Sequence, residues 1–262
     1  MKYFLLVVGL AISGTASAAD TLPDSTKITR QIEYQDKDGH RLAGAARAAY
    51  RVETILVDSL RGMEKTYYLP SGKLLSFEGF LNRRPRVRHG AYMEYHTSGK
   101  MRLQESYVLG QGQGPRLTYY PTGVLRRREQ VAPGQPTTGE CFGPDGQVVR
   151  YFPYQQMPVY PGDTAVLLRE LQQNIKYPHE ALIAHVQGVV VVKFLVTTEG
   201  RVKDIRPEPP PANADADLKR VYGFLQEEAV QAVRKLKPFV PGRLDGELVE
   251  TVYSAPVTFS LE

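Results

Sequence analysis

Four consecutive valines open the stretch at residues 189–196, in which Lys193 is the single polar residue. Valine is branched at Cβ and favours a strand over a helix. Apolar residues at both odd and even positions predict a strand that is buried on both faces. Each face of such a strand needs a covering layer, so the surrounding sequence must supply helices or further strands.

Upstream of the valine strand, the sequence predicts two helices. Asp163 suits the N-cap of the first helix, in which Leu167, Leu171 and Ile175 share one face at a spacing of four. Pro178 suits the first position of a second, short helix. Both helices therefore precede the strand that they are expected to cover.

Downstream, the predicted order is strand, helix, strand. Glu199 and Gly200 form a predicted turn, and residues 201–206 form the next strand. A long helix follows, with an apolar stripe at Leu218, Val221, Leu225, Ala229, Ala232, Val233 and Leu236. Residues 155–262 are thus predicted to be an α+β domain, a small antiparallel sheet with helices in the order αα-β-β-α-β.

The last strand has a clear alternating pattern. Between residues 249 and 261, mainly apolar side chains occupy every second position and mostly polar ones lie between them. This alternation predicts one buried and one exposed face. Pro256 has no N–H to donate to a neighbouring strand, so we expect an edge strand or a strand with a bulge.

A short phrase recurs in residues 19–154. The spacing Gly-x4-Tyr-x3-Gly begins at Gly90 and again at Gly114, and weaker copies flank these two. A period of about 25 residues indicates a repeat architecture. Turn tripeptides that end in glycine predict a run of β-hairpins, because glycine readily adopts a positive φ. We expect the aromatic residue before each turn to pack on that of the next hairpin.

The two clearest copies, Gly90-Ala-Tyr-Met-Glu-Tyr-His-Thr-Ser-Gly99 and Gly114-Pro-Arg-Leu-Thr-Tyr-Tyr-Pro-Thr-Gly123, resemble the bacterial MORN-type repeat. The resemblance implies an all-β, single-layer antiparallel sheet that acts as an interaction or spacer element without catalysis. Basic clusters at residues 83–88 and 126–128 have two interpretations: they bind an anionic lipid or polymer, or they form a solvated face of the sheet.

Residues 155–262 resemble the C-terminal domain of TonB energy-transducing proteins. The resemblance rests on Tyr160-Pro161-Gly162, Tyr177-Pro178, the valine strand, Glu199-Gly200-Arg201-Val202, Pro238-Phe239-Val240-Pro241-Gly242 and Ala255-Pro256-Val257-Thr258-Phe259. In that family, the domain binds a short extended segment of outer-membrane transporters by strand addition. The resemblance implies partner-binding residues Asn174, Tyr177, Pro178, Val252, Tyr253, Ser254, Ala255, Pro256 and Val257.

A full transducer also needs a membrane anchor and a long proline-rich spacer, and this sequence shows neither. The leading hypothesis is therefore a non-enzymatic binding protein that recognises a peptide segment of an outer-membrane or envelope partner. The alternative is a structural or scaffolding envelope protein in which the TonB-like domain pairs its edge with itself, as a homodimer, or with the repeat module.

Residues 1–18 have the layout of a secretory signal peptide, with an apolar run followed by Ala16-Ser17-Ala18. We expect an exported, periplasmic protein, or a membrane-associated one if the segment is retained. The formal net charge of +5 is mild and does not predict a nucleic-acid partner. Cys141 is the only cysteine, which excludes an internal disulfide.

No pattern of catalytic or metal-binding residues stands out in the sequence. The histidines are His40, His89, His96, His179 and His185, and no cysteine or carboxylate spacing links them into a predicted metal site. The sequence therefore predicts no enzymatic activity, no cofactor and no small-molecule substrate.

Overall fold

The computed structural model describes residues 28–58, 60–83 and 85–261. The predicted signal peptide at residues 1–18 lies outside these residues. Within the described part of the chain, none of the helices combines the length and apolar character that a membrane span requires. The chain divides into an N-terminal unit that ends at Arg150 and a C-terminal unit that begins at Tyr151.

The N-terminal unit contains one 12-stranded sheet, which we call the repeat sheet. Its strands are Thr29–Gln35 (β1), Arg41–Leu42 (β2), Tyr50–Leu56 (β3), Arg61–Tyr68 (β4), Lys73–Arg83 (β5), Arg86–Tyr95 (β6), Met101–Val108 (β7), Gln111–Gly112 (β8), Gly114–Tyr119 (β9), Leu125–Val131 (β10), Thr138–Phe142 (β11) and Val148–Val149 (β12). The order is β12-β11-β10-β9-β7-β6-β5-β4-β3-β1-β2, and β8 pairs with β7. All of these pairings are antiparallel, and most join consecutive strands, so the sheet is largely a succession of hairpins.

The hairpin turns adopt the backbone conformation that their glycines predict. Gly72, Gly99, Gly123 and Gly146 have φ values of 66°, 89°, 92° and 80°. At two of these turns, the glycine N–H donates to a carbonyl three residues earlier, with an N···O distance of 2.7 Å. A residue with a Cβ is strained at such φ values, so the repeated glycine marks where each hairpin reverses.

The C-terminal unit is α+β. Its elements are Gln155–Gln156 (β13), Thr164–Asn174 (α1), His179–Ile183 (α2), Gly188–Val196 (β14), Val202–Pro207 (β15), Ala216–Arg234 (α3), Arg243–Leu244 (β16), Glu247–Leu248 (β17) and Thr251–Phe259 (β18). The strands form two antiparallel sheets, β13-β16-β17 and β15-β14-β18. Asp163 caps α1 as predicted, since its side chain accepts hydrogen bonds from the N–H groups of Ala165 and Val166.

The core of the C-terminal unit is apolar and lies between the helices and one face of β15-β14-β18. Strand β14 contributes Val190, Val192, Phe194 and Val196, each at most 1% exposed. Strand β18 adds Ala255, Val257 and Phe259 on the same face of the sheet. The helices supply the opposing side chains, including Leu167, Leu171, Ala181, Leu225, Ala229 and Val233. Such burial is the main favourable contribution to folding in this unit.

The prediction that the valine strand is buried on both faces is wrong. Side chains on its second face are open to solvent: Val189 is 49% exposed, and Val191 and Leu195 are partly exposed. The physical reason is that α1, α2 and α3 all contribute to the same core. Within the described residues of this unit, the second face of β14 has no covering layer, although its sequence is apolar.

Candidate functional site

Strand β18 shows the predicted alternation. The side chains of Val252, Ser254, Pro256 and Thr258 are exposed, whereas Ala255, Val257 and Phe259 are buried in the core. Tyr253 also faces the core, where its ring centroid lies 5.5 Å from that of Phe194. The six strand residues predicted to bind a partner therefore lie on opposite faces of the sheet.

The backbone direction of β18 follows from one hydrogen bond across β14. The N–H of Glu208 donates to the carbonyl of Val191 at 2.8 Å, so the backbone groups of Val191 point towards β15. Backbone groups of successive residues in an antiparallel strand point to opposite sides. Because Val191 is opposite Pro256 in the β14–β18 register, the backbone groups of Pro256 point away from β14.

The outer edge of β18 therefore offers hydrogen-bonding groups at every second residue. Val252, Ser254 and Thr258 present an N–H and a carbonyl there, and Pro256 presents a carbonyl alone. In the described part of the chain, β14 is the only strand that pairs with β18. This edge can accept another extended segment, with one interruption at Pro256.

The segment predicted to lie beside the last strand meets it at its C-terminal end. The ring centroid of Tyr177 lies 5.8 Å from that of Phe259, and its hydroxyl donates to the carbonyl of Val186 at 2.6 Å. Burial raises the pKa of Tyr177. Strand β18 rises about 3.4 Å per residue, so Phe259, which contacts Tyr177, lies more than about 20 Å from Val252. This separation is roughly the length of the strand.

Other contacts hold this segment to α3. The carbonyl of Asn174 accepts a hydrogen bond from Lys235 Nζ at 3.1 Å, and the N–H of Lys176 donates to Glu228 Oε1 at 2.8 Å. Pro178 is the N-cap of α2, one residue before the predicted position. The observed contacts of Asn174 and Tyr177 are thus internal to the unit.

A bulge in β15 adds residues that the sequence prediction missed. Lys193 is opposite Arg206 and Leu195 is opposite Lys203, so two residues of β15 face Phe194 alone. One of these two is Asp204, which has a φ of 48°. The bulge places both Lys203 and Asp204 on the exposed face.

The signal for this bulge is present in the sequence. Val202 and Ile205 are both packed against the core, yet they are three residues apart. A regular strand brings residues to the same face at a spacing of two, so an apolar spacing of three indicates an extra residue.

A depression of about 240 Å³ lies beside the bulge on this exposed face. Its lining consists of Lys193, Phe194, Leu195, Asp204, Arg206 and Val252. Val252 also belongs to the unpaired outer edge of β18. The exposed face and the open edge therefore meet at this residue.

In the repeat sheet, the basic cluster at residues 126–128 is a solvated face only in part, because Arg128 is exposed whereas Arg127 is buried. Arg127 is 0% exposed and donates to Glu129, which is itself 2% exposed. Arg128 pairs with Glu140 at 2.6 Å, and the Arg126 guanidinium lies 5.0 Å from the ring centroid of Tyr120. Both interpretations of this cluster required exposed cations, and its central arginine is buried.

Arg86 and Arg88, in the other basic cluster, are also paired. Arg86 contacts Glu64 at 2.9 Å and Glu78 at 3.2 Å. Arg88 lies 4.2 Å from the ring centroid of Tyr92. Burial and the hydrogen bond to Glu94 raise the pKa of Tyr92. Acidic residues of β4 and β5 and an aromatic ring of β6 itself thus interact with the positive charges that a free anion would need.

Lysines link successive turns of the repeat sheet. Lys73 Nζ donates to the Ser98 carbonyl at 2.7 Å, and Lys100 Nζ donates to the Thr122 carbonyl at 2.6 Å. These links are not the aromatic stacking that the sequence predicted. The ring pairs found among the described repeat residues join Tyr50 to Tyr68 and Tyr92 to Tyr107. The signal was the lysine that follows the turn glycine in both Gly72-Lys73 and Gly99-Lys100.

One group of side chains near the start of the repeat sheet has potential metal-ligand spacing. Ligand atoms of Asp36, Asp38 and His40 all lie within 4.8 Å of one another. This grouping differs from the expectation that no carboxylate joins a histidine. The Asp36 carboxylate accepts hydrogen bonds from the N–H groups of Asp38 and His40, at 2.9 Å each, as in an ordinary turn.

Comparisons of the chain with protein-family models, with curated proteins and with solved structures found no match.

Proposed function

We propose that the chain is a non-enzymatic, exported binding protein of the cell envelope. Its C-terminal unit recognises an extended peptide segment of an outer-membrane or envelope partner by adding it as a strand to the outer edge of β18. The observation that carries this proposal is the unpaired edge at Val252, Ser254, Pro256 and Thr258. The resemblance of residues 155–262 to TonB C-terminal domains supports the choice of partner.

Strand addition follows from the chemistry of such an edge. Outward N–H and carbonyl groups form main-chain hydrogen bonds with any extended segment, and side chains on either side of the edge provide selectivity. Pro256 restricts the longest uninterrupted stretch of donors to Val252 and Ser254. The repeat sheet is proposed to serve as an interaction or spacer element.

A proline at position 254 tests the proposal, because the N–H of Ser254 points away from β14. The Ser254→Pro variant removes an edge donor and keeps the ladder to β14, whereas Ser254→Thr keeps the donor. We expect the full chain and the Ser254→Thr control to capture an outer-membrane transporter from envelope extracts and Ser254→Pro to lose it. Equal capture by both variants, with unchanged circular dichroism, contradicts strand addition at this edge.

The same open edge favours one alternative, self-association of two chains through β18 in a scaffolding protein. Both Val252 and Thr258 point their N–H groups outward, so replacing both with proline removes donors that a paired copy would use. Sedimentation distinguishes the alternatives. A stable dimer of the full chain that dissociates in this double variant supports self-association.

A further inference from the structure

The exposed face of β15-β14-β18 is organised in cross-strand rows. The β14 registers define a first row of Lys203, Leu195 and Val252, a second of Arg206, Lys193 and Ser254, and a third of Val191 and Pro256. Directly opposed side chains lie about 5 Å apart, and a strand added to β18 would extend each row by one residue.

The rows alternate in chemical character. Val252 is 61% exposed and lies opposite the partly exposed Leu195, so an added side chain at this row meets apolar surface. The second row is cationic, and the third is apolar through Val191 and Pro256. Each incoming side chain on this face therefore meets a different environment.

Ser254 makes the cationic row accessible from the edge. An added strand would lie about 10 Å from β14, because each strand spacing is about 4.8 Å. Between them, Ser254 contributes a short side chain, which leaves room above it. The long side chains of a lysine on β14 and of a glutamate on the added strand can meet across this gap.

The charges of this region favour an anion. Lys193 pairs with Glu208 at 2.9 Å, with 56% of the lysine side chain and 42% of the glutamate side chain exposed. Arg206 lies directly opposite Lys193 and has no ion pair among the described residues. Together with Lys203 and Asp204, these groups leave one net positive charge beside the edge.

We propose that the edge of β18 selects an extended peptide of the pattern apolar-x-acidic-x-apolar. The first apolar side chain packs on Val252 and Leu195, the carboxylate reaches Lys193 over Ser254, and the second apolar side chain packs on Pro256 and Val191. This inference rests on the proposed strand addition and specifies the class of peptide that the edge prefers.

The test measures binding of three labelled peptides to the full chain by fluorescence anisotropy. Their sequences are TVTETVT, TVTQTVT and TVTKTVT, which differ only at the centre. We expect the glutamate peptide to bind about fivefold more tightly than the glutamine peptide, and the lysine peptide to bind most weakly. Raising the salt concentration should reduce the difference.

Two charge variants and one matched control test whether the cationic row causes the preference for the glutamate peptide. Lys193→Gln should abolish the preference for glutamate, and Glu208→Gln should increase it, because the carboxylate that competes for Lys193 is removed. Lys219→Gln removes the same charge from the exposed surface of α3 and should leave the preference unchanged.

The outcomes separate this inference from the proposed function. If all three peptides bind equally and Ser254→Pro abolishes their binding, strand addition holds and the acidic preference is overturned. If Lys193→Gln and Lys219→Gln reduce the preference equally, the cationic row is overturned as its source. If no peptide binds, strand addition by this edge is itself overturned.

Discussion

Arg127 in the repeat sheet and Phe194 in the C-terminal unit are equally inaccessible, at 0% and 1% exposure, but different interactions surround them. Arg127 donates to Glu129, the second residue after it on the same strand. Phe194 lies between Phe239 and Tyr253, with ring centroids 5.8 Å and 5.5 Å away. One residue is buried among charged groups, and the other among aromatic rings.

The contrast extends to each unit. Arg116 bridges two acidic residues of neighbouring strands, Glu105 and Glu129, and both are nearly buried. The C-terminal unit instead covers one face of β14 with apolar side chains of three helices. In the described residues of the N-terminal unit there is no helix to supply such a layer. In the repeat sheet, long charged side chains of adjacent strands pack against one another instead.

These two ways of burying side chains differ energetically. Apolar burial is favourable without regard to direction, whereas buried charges gain only if partners offset the cost of desolvation. A misaligned strand in the repeat sheet would separate Arg116 from Glu105 and Glu129 on the neighbouring strands, so these cross-strand pairs favour the correct register. Three substitutions test this comparison, and the first has the largest expected effect.

Phe194→Ala should destabilise the C-terminal unit by about 3–5 kcal/mol, because the substitution leaves a cavity among buried aromatic rings. Thermal unfolding followed by circular dichroism measures the loss. Val252→Ala, on the exposed side of the same sheet, is the control and should cost about 0.5 kcal/mol or less. If both variants lose the same stability, the core does not lie on one face of the sheet alone.

Glu129→Leu should destabilise the N-terminal unit by about 3 kcal/mol, because Arg127 and Arg116 lose a buried partner. Adding Arg127→Leu should restore part of this stability, since an apolar pair avoids the cost of a buried charge that has lost its carboxylate partner. Denaturant titration of both variants gives the two free energies of unfolding. A double variant that is less stable than Glu129→Leu alone would contradict the expected cost of leaving Arg127 buried without the Glu129 carboxylate.

Lys100→Met should have the smallest effect, about 1 kcal/mol, because it removes one hydrogen bond between successive turns and keeps the apolar stem. Hydrogen exchange at the turn of Gly123 reports the local loosening. Lys37→Met, in an exposed turn, is the matched control. If exchange rises equally in both variants, the lysine link does not stabilise the neighbouring turn.

Local patterns explain the successful sequence predictions. The turn glycines, the cap at Asp163 and the alternation of β18 each depend on residues close together in the chain. The bulge near Asp204 was missed although the spacing of Val202 and Ile205 indicated it. Of the predicted binding residues, the structure brings Tyr177 to the Phe259 end of β18 and places Val252 at the other end.

The sequence by itself determined where this chain turns, where its main helices and strands form and which side chains share a face. Only the tertiary structure decided which of those faces are covered. Val189 and Leu195 resemble their buried neighbours in sequence, yet they are accessible because the helices all cover the other face. Arg127 resembles its neighbours Arg126 and Arg128, yet it is buried between the neighbouring strands, where it lies opposite the buried residues Thr118 and Cys141. Burial depends on which distant segments pack against a residue, and no local period encodes that.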